Sequence, residues 1–114
     1  MSKKIERIAS ILQKEISYIL ANEIKDKNIE FVTVTAVKVT NDLSYAKVYV
    51  TILNQDKKEQ IMKALKKASG FIRTELADKL EIRHIPELNF VYDESIEYGN
   101  RIENIIDNLH NQEN

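Results

Sequence analysis

Three acidic residues late in the sequence form the group best suited to acid–base catalysis or to a hard cation. Asp93, Glu94 and Glu97 lie close together, and carboxylates supply both general acids or bases and the oxygen ligands that Mg²⁺ prefers. They also follow a predicted strand and precede a predicted helix, where acidic side chains bind free backbone N–H groups and favour the helix dipole. We therefore assign them a structural role in preference to a catalytic one.

Other residue types needed for catalysis or cofactor binding are sparse. Ser44, Ser69 and Ser95 fall at predicted turns or helix ends, where a hydroxyl caps the backbone, and the only histidines are His84 and His110. The chain has no cysteine for a zinc site, and its two glycines cannot supply a glycine-rich phosphate motif. We expect no catalytic residue, no metal, no cofactor and no enzymatic activity.

A basic stretch offers binding chemistry instead. Six Lys/Arg residues lie between Lys57 and Arg73, against the single acid Glu59. Steps of three and four place several of them on one helix face, and lysines beside bare backbone suit phosphate; a solvated charged face is the alternative. We predict that RNA is bound by Lys57, Lys58, Lys63, Lys66, Lys67, Ser69, Gly70 and Arg73, with secondary contacts from Lys3, Lys4, Arg7, Arg83 and His84.

Tyr45, Lys47 and Tyr49 form a second candidate surface. They alternate with apolar residues along a predicted strand and so share one of its faces. Sheet-based RNA-binding modules stack bases on such tyrosines. We favour a solvated face, because tyrosine and lysine are common cross-strand neighbours and no RNP-type sequence accompanies them.

The net charge of −1 conceals an uneven distribution along the chain. Residues 1–86 carry sixteen Lys/Arg against eleven Asp/Glu, whereas residues 87–114 carry one arginine against seven Asp/Glu. This asymmetry indicates a basic body followed by an acidic segment. The lack of cysteine and of a long apolar run predicts a cytoplasmic protein with no membrane association.

The hydrophobic pattern places these residues on a mixture of helices and strands. A period of three to four predicts a helix from Lys3 to about Ile24, and β-branched residues predict a strand at 29–39 with a bulge near Ala36 and Val37. Next comes a turn at 40–44. It leads into a strand whose core-facing residues are Ala46, Val48, Val50 and Ile52, and then into a helix capped at 54–56. Gly70 is expected to interrupt that helix, before a strand at 87–92 and a last helix at about 100–109. The prediction is an α+β fold with a three-stranded sheet covered on one face by helices.

Five segments, in order, closely resemble the bacterial ribosome-binding factor A family: residues 31–35, 42–50, 68–73, 86–88 and 93–99. The resemblance implies a KH-like fold of the second type at residues 1–98, with a C-terminal helix and frayed acidic tail at 99–114. It also implies an Ala-x-Gly helix-kink-helix at Ala68, Ser69 and Gly70 in place of the usual GxxG loop. Because GxxG is absent, shape and phosphate recognition are expected there rather than sequence readout.

The same resemblance implies a function in ribosome biogenesis. Members bind the free 30S small subunit and its 16S rRNA during late maturation, including processing near the 5′ end, with greatest importance at low temperature. We expect a monomer and an assembly GTPase as a further partner. Two alternatives remain: an adaptor that contacts a GTPase or ribosomal protein through the acidic tail or the tyrosine face, and a hydrolase that uses Asp93 and Glu97.

Overall fold

The computed structural model describes residues 3–24, 26, 29, 31–82 and 84–95. Its first element, α1, is a helix over Lys3–Asn22. Apolar residues at helical spacing give it one buried stripe, formed by Ile8, Leu12, Ile16, Ile19 and Leu20. The helix ends two residues earlier than predicted; Ile24 lies beyond it and packs against the core.

Strands β1 (Val32–Val39) and β2 (Tyr45–Ile52) form the predicted antiparallel hairpin. In the turn, the Asp42 carboxylate accepts hydrogen bonds from the Ser44 N–H at 3.0 Å and the Thr40 hydroxyl at 2.8 Å, a local bonding pattern that favours aspartate in turns. Strand β1 begins later than predicted, because Phe31 has a φ of 57° and cannot continue a strand. The predicted bulge is present, but the extra residue is Thr35, between Val34 and Ala36.

Helix α2 runs without a break over Lys58–Lys79, after a short 3₁₀ turn at Gln55–Lys57. The predicted interruption at Ala68, Ser69 and Gly70 is therefore wrong: all three residues are helical, and Gly70 does not have positive φ. A single glycine lowers helix stability by only about 1 kcal/mol relative to alanine, which the buried stripe of α2 overcomes. A change of direction at these residues, without a break, stays a prediction.

Strand β3 covers Glu87–Tyr92, as predicted, and pairs with β2 in parallel. The sheet order is β1-β2-β3, so α2 is the crossover that a parallel connection requires. The α+β class with a three-stranded sheet is confirmed.

Both helices pack against the same face of the sheet. From β2 that face contributes Ala46, Val48, Val50 and Ile52, as predicted, and from β3 Leu88 and Phe90. The other face of the sheet is not covered by any described residue. The predicted last helix at about 100–109, and the tail after it, lie outside the described residues. Neither α1 nor α2 is long and apolar enough to cross a membrane.

Candidate nucleic-acid interface

The outward face of α2 gathers the central part of the predicted RNA-binding set. Ile61, Leu65, Ile72 and Leu76 are buried against the sheet and fix the rotation of the helix. The opposite side is exposed, and helical spacing groups its members, Lys63, Lys66, Lys67, Gly70, Thr74 and Ala77. We call this group the basic helix face.

The lysines of the basic helix face form no ion pair among the described residues, and the acid nearest them along the helix is Glu59, one turn before Lys63. Within the described part of the chain, the ion pair is Lys79 with Glu23, at the far end of α2. No described salt bridge involves Lys63, Lys66 or Lys67. Each therefore keeps a mobile, solvated ammonium group, which suits contact with phosphate oxygens.

Gly70 leaves a stretch of helix backbone bare one turn after Lys66 and Lys67. A Cβ added at Gly70 would meet no atom within 4 Å, so packing inside the chain does not require glycine there. Ser69 donates to the Lys66 carbonyl at 2.8 Å, and Thr74 donates to the Gly70 carbonyl at 3.0 Å. Such bonds to the preceding turn often bend a helix. Ser69 is half-buried with its hydroxyl occupied in this way, and is thus less available for RNA than predicted.

Arg73 holds a loop in place instead of standing free on the surface. Its side chain is half-buried, and one terminal nitrogen donates to the Ile85 carbonyl at 3.0 Å, while Nε is buried without a partner. This bond ties Ile85 to α2. Between them lies an open concavity of about 370 Å³, lined by Gly70, Arg73, Thr74, Ala77, Ile82, His84 and Ile85.

A second concavity brings together three of the predicted secondary contacts. Lys4 and Arg7 from α1 line a space of about 650 Å³ with His84, which also lines the first concavity. Asp42 and Glu81 line it too, so its charge is mixed. His84 thus connects the basic helix face to the start of α1, where Lys3 is exposed. Arg83 lies outside the described residues.

Lys57 and Lys58 do not join the basic helix face. Lys57 is exposed in the 3₁₀ turn, ahead of α2. The Lys58 ammonium lies 3.8 Å from the ring centroid of Tyr92, and Gln55 donates to the Tyr92 hydroxyl at 2.9 Å. These contacts fasten the start of α2 to the end of β3, so Lys58 has a structural partner that the sequence pattern did not reveal.

Asp93 takes part in a local hydrogen-bond network. Its carboxylate accepts from the Ser95 hydroxyl, from the Ser95 N–H at 3.0 Å and from the Thr35 hydroxyl. These bonds, led by the Ser95 hydroxyl, hold the pKa of Asp93 below its usual value. Among the described residues no group of three or more His, Cys, Asp or Glu is placed to hold a metal ion. Asp93 has the structural role expected for it, while Glu97 lies outside the described residues.

Sequence reasoning missed three exposed residues with chemical potential. Phe31 and Leu53 are 71% and 75% exposed, and their backbones are neighbours, because the Leu53 N–H donates to the Phe31 carbonyl. Lys38 lies directly opposite Lys47 on the uncovered sheet face. The Lys38–Lys47 pair could have been predicted by counting residues outward from the turn. The sequence pattern gave no indication that Phe31 would lie outside the strand.

The arrangement defines a small α+β protein with a cationic helix face and an uncovered sheet face. A family model described as ribosome-binding factor A matches residues 4–106. The chain belongs to the ribosome-binding factor A family.

Relatives described as ribosome-binding factor A match nearly the whole chain. The Staphylococcus carnosus protein is 50% identical over 115 residues, covering 99% of this chain and 100% of its own. The Staphylococcus epidermidis protein is 51% identical over 108 residues, covering 94% and 93%.

Solved structures show the same fold. The crystal structure of ribosome-binding factor A from Thermus thermophilus has a TM-score of 0.70 at 24% identity, covering 77% of this chain and 94% of its own. The solution structure of a Thermotoga maritima protein, described as a putative ribosome binding factor A, has a TM-score of 0.70 at 29% identity, covering 85% and 93%. A Thermus thermophilus homology model, described as fitted into the cryo-EM map of a 30S complex, has a TM-score of 0.65 at 24% identity, covering 75% and 91%.

Proposed function

We propose that this protein is a cytoplasmic, monomeric ribosome assembly factor without a catalytic step of its own. It binds the free 30S subunit and its 16S rRNA during late maturation, including processing near the 5′ end, and matters most at low temperature. Family membership supports binding to the ribosome. The Thermus thermophilus relative fitted into a 30S complex supports the small subunit as the partner.

The basic helix face is the feature that most strongly supports an RNA contact. Lys63, Lys66 and Lys67 are exposed without described salt bridges, ahead of the bare backbone of Gly70. Three mobile ammonium groups on a rigid helix can follow a phosphate backbone, while the missing side chain lets that backbone approach closely. Lys4, Arg7 and His84 extend the surface past the loop that Arg73 holds. On this proposal Arg73 positions the loop, and Lys57 and Lys58 contribute less than the helix centre.

The test is reversal of Lys63, Lys66 and Lys67 to glutamate. Removing about three phosphate contacts should weaken binding to free 30S subunits by at least about tenfold and reduce the slope of log affinity against log salt by about two to three. Sedimentation of the labelled protein with purified subunits over a salt series measures both quantities. Circular dichroism checks that the helix content is unchanged.

A matched control separates the helix face from general charge. Lys14 is an exposed lysine on α1, so Lys14→Glu makes the same charge change as Lys66→Glu on another helix. Lys66→Glu should weaken subunit binding more than Lys14→Glu does. Equal effects of the two, or unchanged binding in the triple variant, would refute the helix face as the RNA contact.

A protein contact, with an assembly GTPase or a ribosomal protein, is the second candidate. Phe31 and Leu53 favour it, because both are exposed large apolar residues on neighbouring backbone segments, and exposed apolar patches are typical of protein interfaces. The double variant Phe31→Ser, Leu53→Ser should then lose association with the subunit or GTPase while still binding protein-free 16S rRNA. Equal loss of both activities would count against a protein contact at this site.

A further inference from the structure

The uncovered face of the sheet carries an unusual arrangement of charge. Lys38 on β1 and Lys47 on β2 are direct cross-strand partners, and Asn89 on β3 lies next to Lys47 in the same row. Like charges directly opposite one another destabilise a sheet. On a solvated face tyrosine and lysine are common cross-strand neighbours, but the direct partners of Tyr49 are Ala36 and Val91. Tyr49 is only a diagonal neighbour of Lys38, so the direct pairing of the two lysines has no structural explanation in this row.

Aromatic rings flank the two lysines along β2. Tyr45 is 56% exposed and projects from the same face, two positions before Lys47. Tyr49 is half-buried, and the Lys38 ammonium lies 5.6 Å from its ring centroid. Tyr49 thus holds the side chain of Lys38, whereas the Tyr45 ring is open to a ligand.

These side chains surround a concavity of about 570 Å³, within the size range of small-ligand sites. Its lining consists of Lys38, Val39, Thr40, Tyr45, Ala46, Lys47, Tyr49 and Asn89. The lining holds two cations and no carboxylate. Glu87, opposite Tyr45 on β3, belongs to the next row and is not part of it.

We propose that this concavity binds an unpaired nucleotide of an RNA strand. The base stacks on Tyr45, the phosphate lies between Lys38 and Lys47, and the Asn89 amide is placed to hydrogen-bond the base edge. An anion between the lysines relieves their repulsion, which gives the site a reason to prefer phosphate. This site depends on the proposed function only in that RNA is taken as the partner. The site itself lies across the sheet from the basic helix face.

The test uses a fluorescein-labelled oligouridylate of about six nucleotides and the full chain, followed by fluorescence anisotropy. Tyr45→Leu should weaken binding about tenfold, whereas Tyr45→Phe, which keeps the ring, should bind as the parent protein does. Lys47→Gln should weaken binding and flatten its salt dependence, and Lys14→Gln, at an exposed position on α1, should not. A duplex of the same length should compete poorly, because its bases are already stacked.

Amide chemical shifts give a second readout that does not depend on variants. Titration with the oligonucleotide should move the resonances of residues 45–49 and 89. Equal binding by Tyr45→Leu and Tyr45→Phe, or shifts confined to α2, would overturn the site. If Tyr45→Leu weakened subunit binding but left the oligonucleotide unaffected, the face would contact protein and the proposal would be wrong.

The two proposals fail in different ways. If Lys63, Lys66 and Lys67 prove dispensable while Tyr45→Leu weakens oligonucleotide binding, the helix face is wrong and the sheet site stands. If the lysine reversals release the subunit while Tyr45→Leu has no effect on the oligonucleotide, the sheet site alone is wrong.

Discussion

The basic helix face and the uncovered sheet face lie on opposite sides of one hydrophobic layer, and they present positive charge differently. On α2, Lys63, Lys66 and Lys67 are exposed ahead of the bare backbone of Gly70 and form no described ion pair. On the sheet, the backbone pairs Lys38 with Lys47, and the Lys38 ammonium lies 5.6 Å from the ring centroid of Tyr49. The first arrangement suits a phosphate backbone of any sequence, and the second suits one unpaired nucleotide. Similar residue types therefore serve different recognition tasks when the backbone sets their spacing.

The largest expected effect is on the free energy of unfolding, and it distinguishes core residues from residues of the two surfaces. Leu65 is fully buried beneath the helix face, so Leu65→Ala should lower the free energy of unfolding by about 2–5 kcal/mol. Lys63→Ala, two residues away and exposed, should change it by no more than about 0.5 kcal/mol. Urea denaturation measures both. A large loss in Lys63→Ala would mean that the helix face serves stability, and the comparison would fail.

The next effect tests whether the two surfaces act independently in binding. Lys66→Glu and Tyr45→Leu should each weaken binding to the 30S subunit, and stacking alone contributes about 1–3 kcal/mol per base. Because the two residues lie on opposite sides of the protein and share no partner, the double variant should equal the sum within about 0.5 kcal/mol. Affinities of the four proteins for the subunit complete the cycle. A coupling above about 1 kcal/mol would show that the surfaces work as one site.

Gly70→Ala should separate stability from binding on the helix face. The position is helical, exposed and open around an added Cβ, so alanine should stabilise the protein by about 1 kcal/mol. The same methyl group would keep a phosphate backbone at a distance and weaken subunit binding. The reverse change at an exposed position on α1, Ala21→Gly, should lower stability without weakening binding. If Gly70→Ala bound the subunit as well as the parent protein, close approach at Gly70 would be refuted.

The smallest effect concerns Asp93, whose bond to Thr35 spans the sheet face away from the lysines. Thr35→Val removes that hydrogen bond and should cost about 1 kcal/mol at neutral pH. Because the folded state holds the pKa of Asp93 below its usual value, this stability is present above the unfolded-state pKa and is lost as the pH falls through the folded-state value. The difference between parent and variant should therefore shrink below about pH 4.

Thr33→Val is the matched control for that measurement. Thr33 is exposed two residues earlier on β1 and has no described side-chain hydrogen bond, so its substitution should show no such pH dependence. Thermal unfolding over a pH series compares the two variants. Identical pH profiles would rule out the Thr35–Asp93 bond as the cause.

Much of the fold could be predicted from the sequence, because side-chain period reports burial directly. The stripe of α1, the alternation of β2 and the strand after Pro86 were each identified at nearly correct bounds. The interruption at Gly70 was wrong, since the low helix propensity of one glycine was given more weight than the apolar period that continues to Ile72 and Leu76. Phe31 was placed in β1, since nothing local revealed its left-handed backbone.

The candidate site was only partly predictable. Helical spacing correctly placed Lys63, Lys66 and Lys67 on one face, since the period of a helix sets that grouping without any knowledge of tertiary contacts. The partners of Arg73 and Lys58, namely the Ile85 carbonyl and the Tyr92 ring, come from distant parts of the chain. Spacing alone cannot reveal such contacts, and it therefore assigned both side chains to RNA.

The parallel pairing of β2 with β3 has a consequence for how the chain reaches this fold. The β1–β2 hairpin closes through a short turn, but Tyr45 meets Glu87 only after all of α2 has crossed the sheet, and closing a longer loop costs more entropy. We expect pulse-labelled hydrogen exchange to protect the hairpin amides before those of β3. Until that last strand arrives, β2 has an unpaired edge open to a neighbouring chain, so slow docking of β3 is the stage at which newly made protein is most exposed to aggregation.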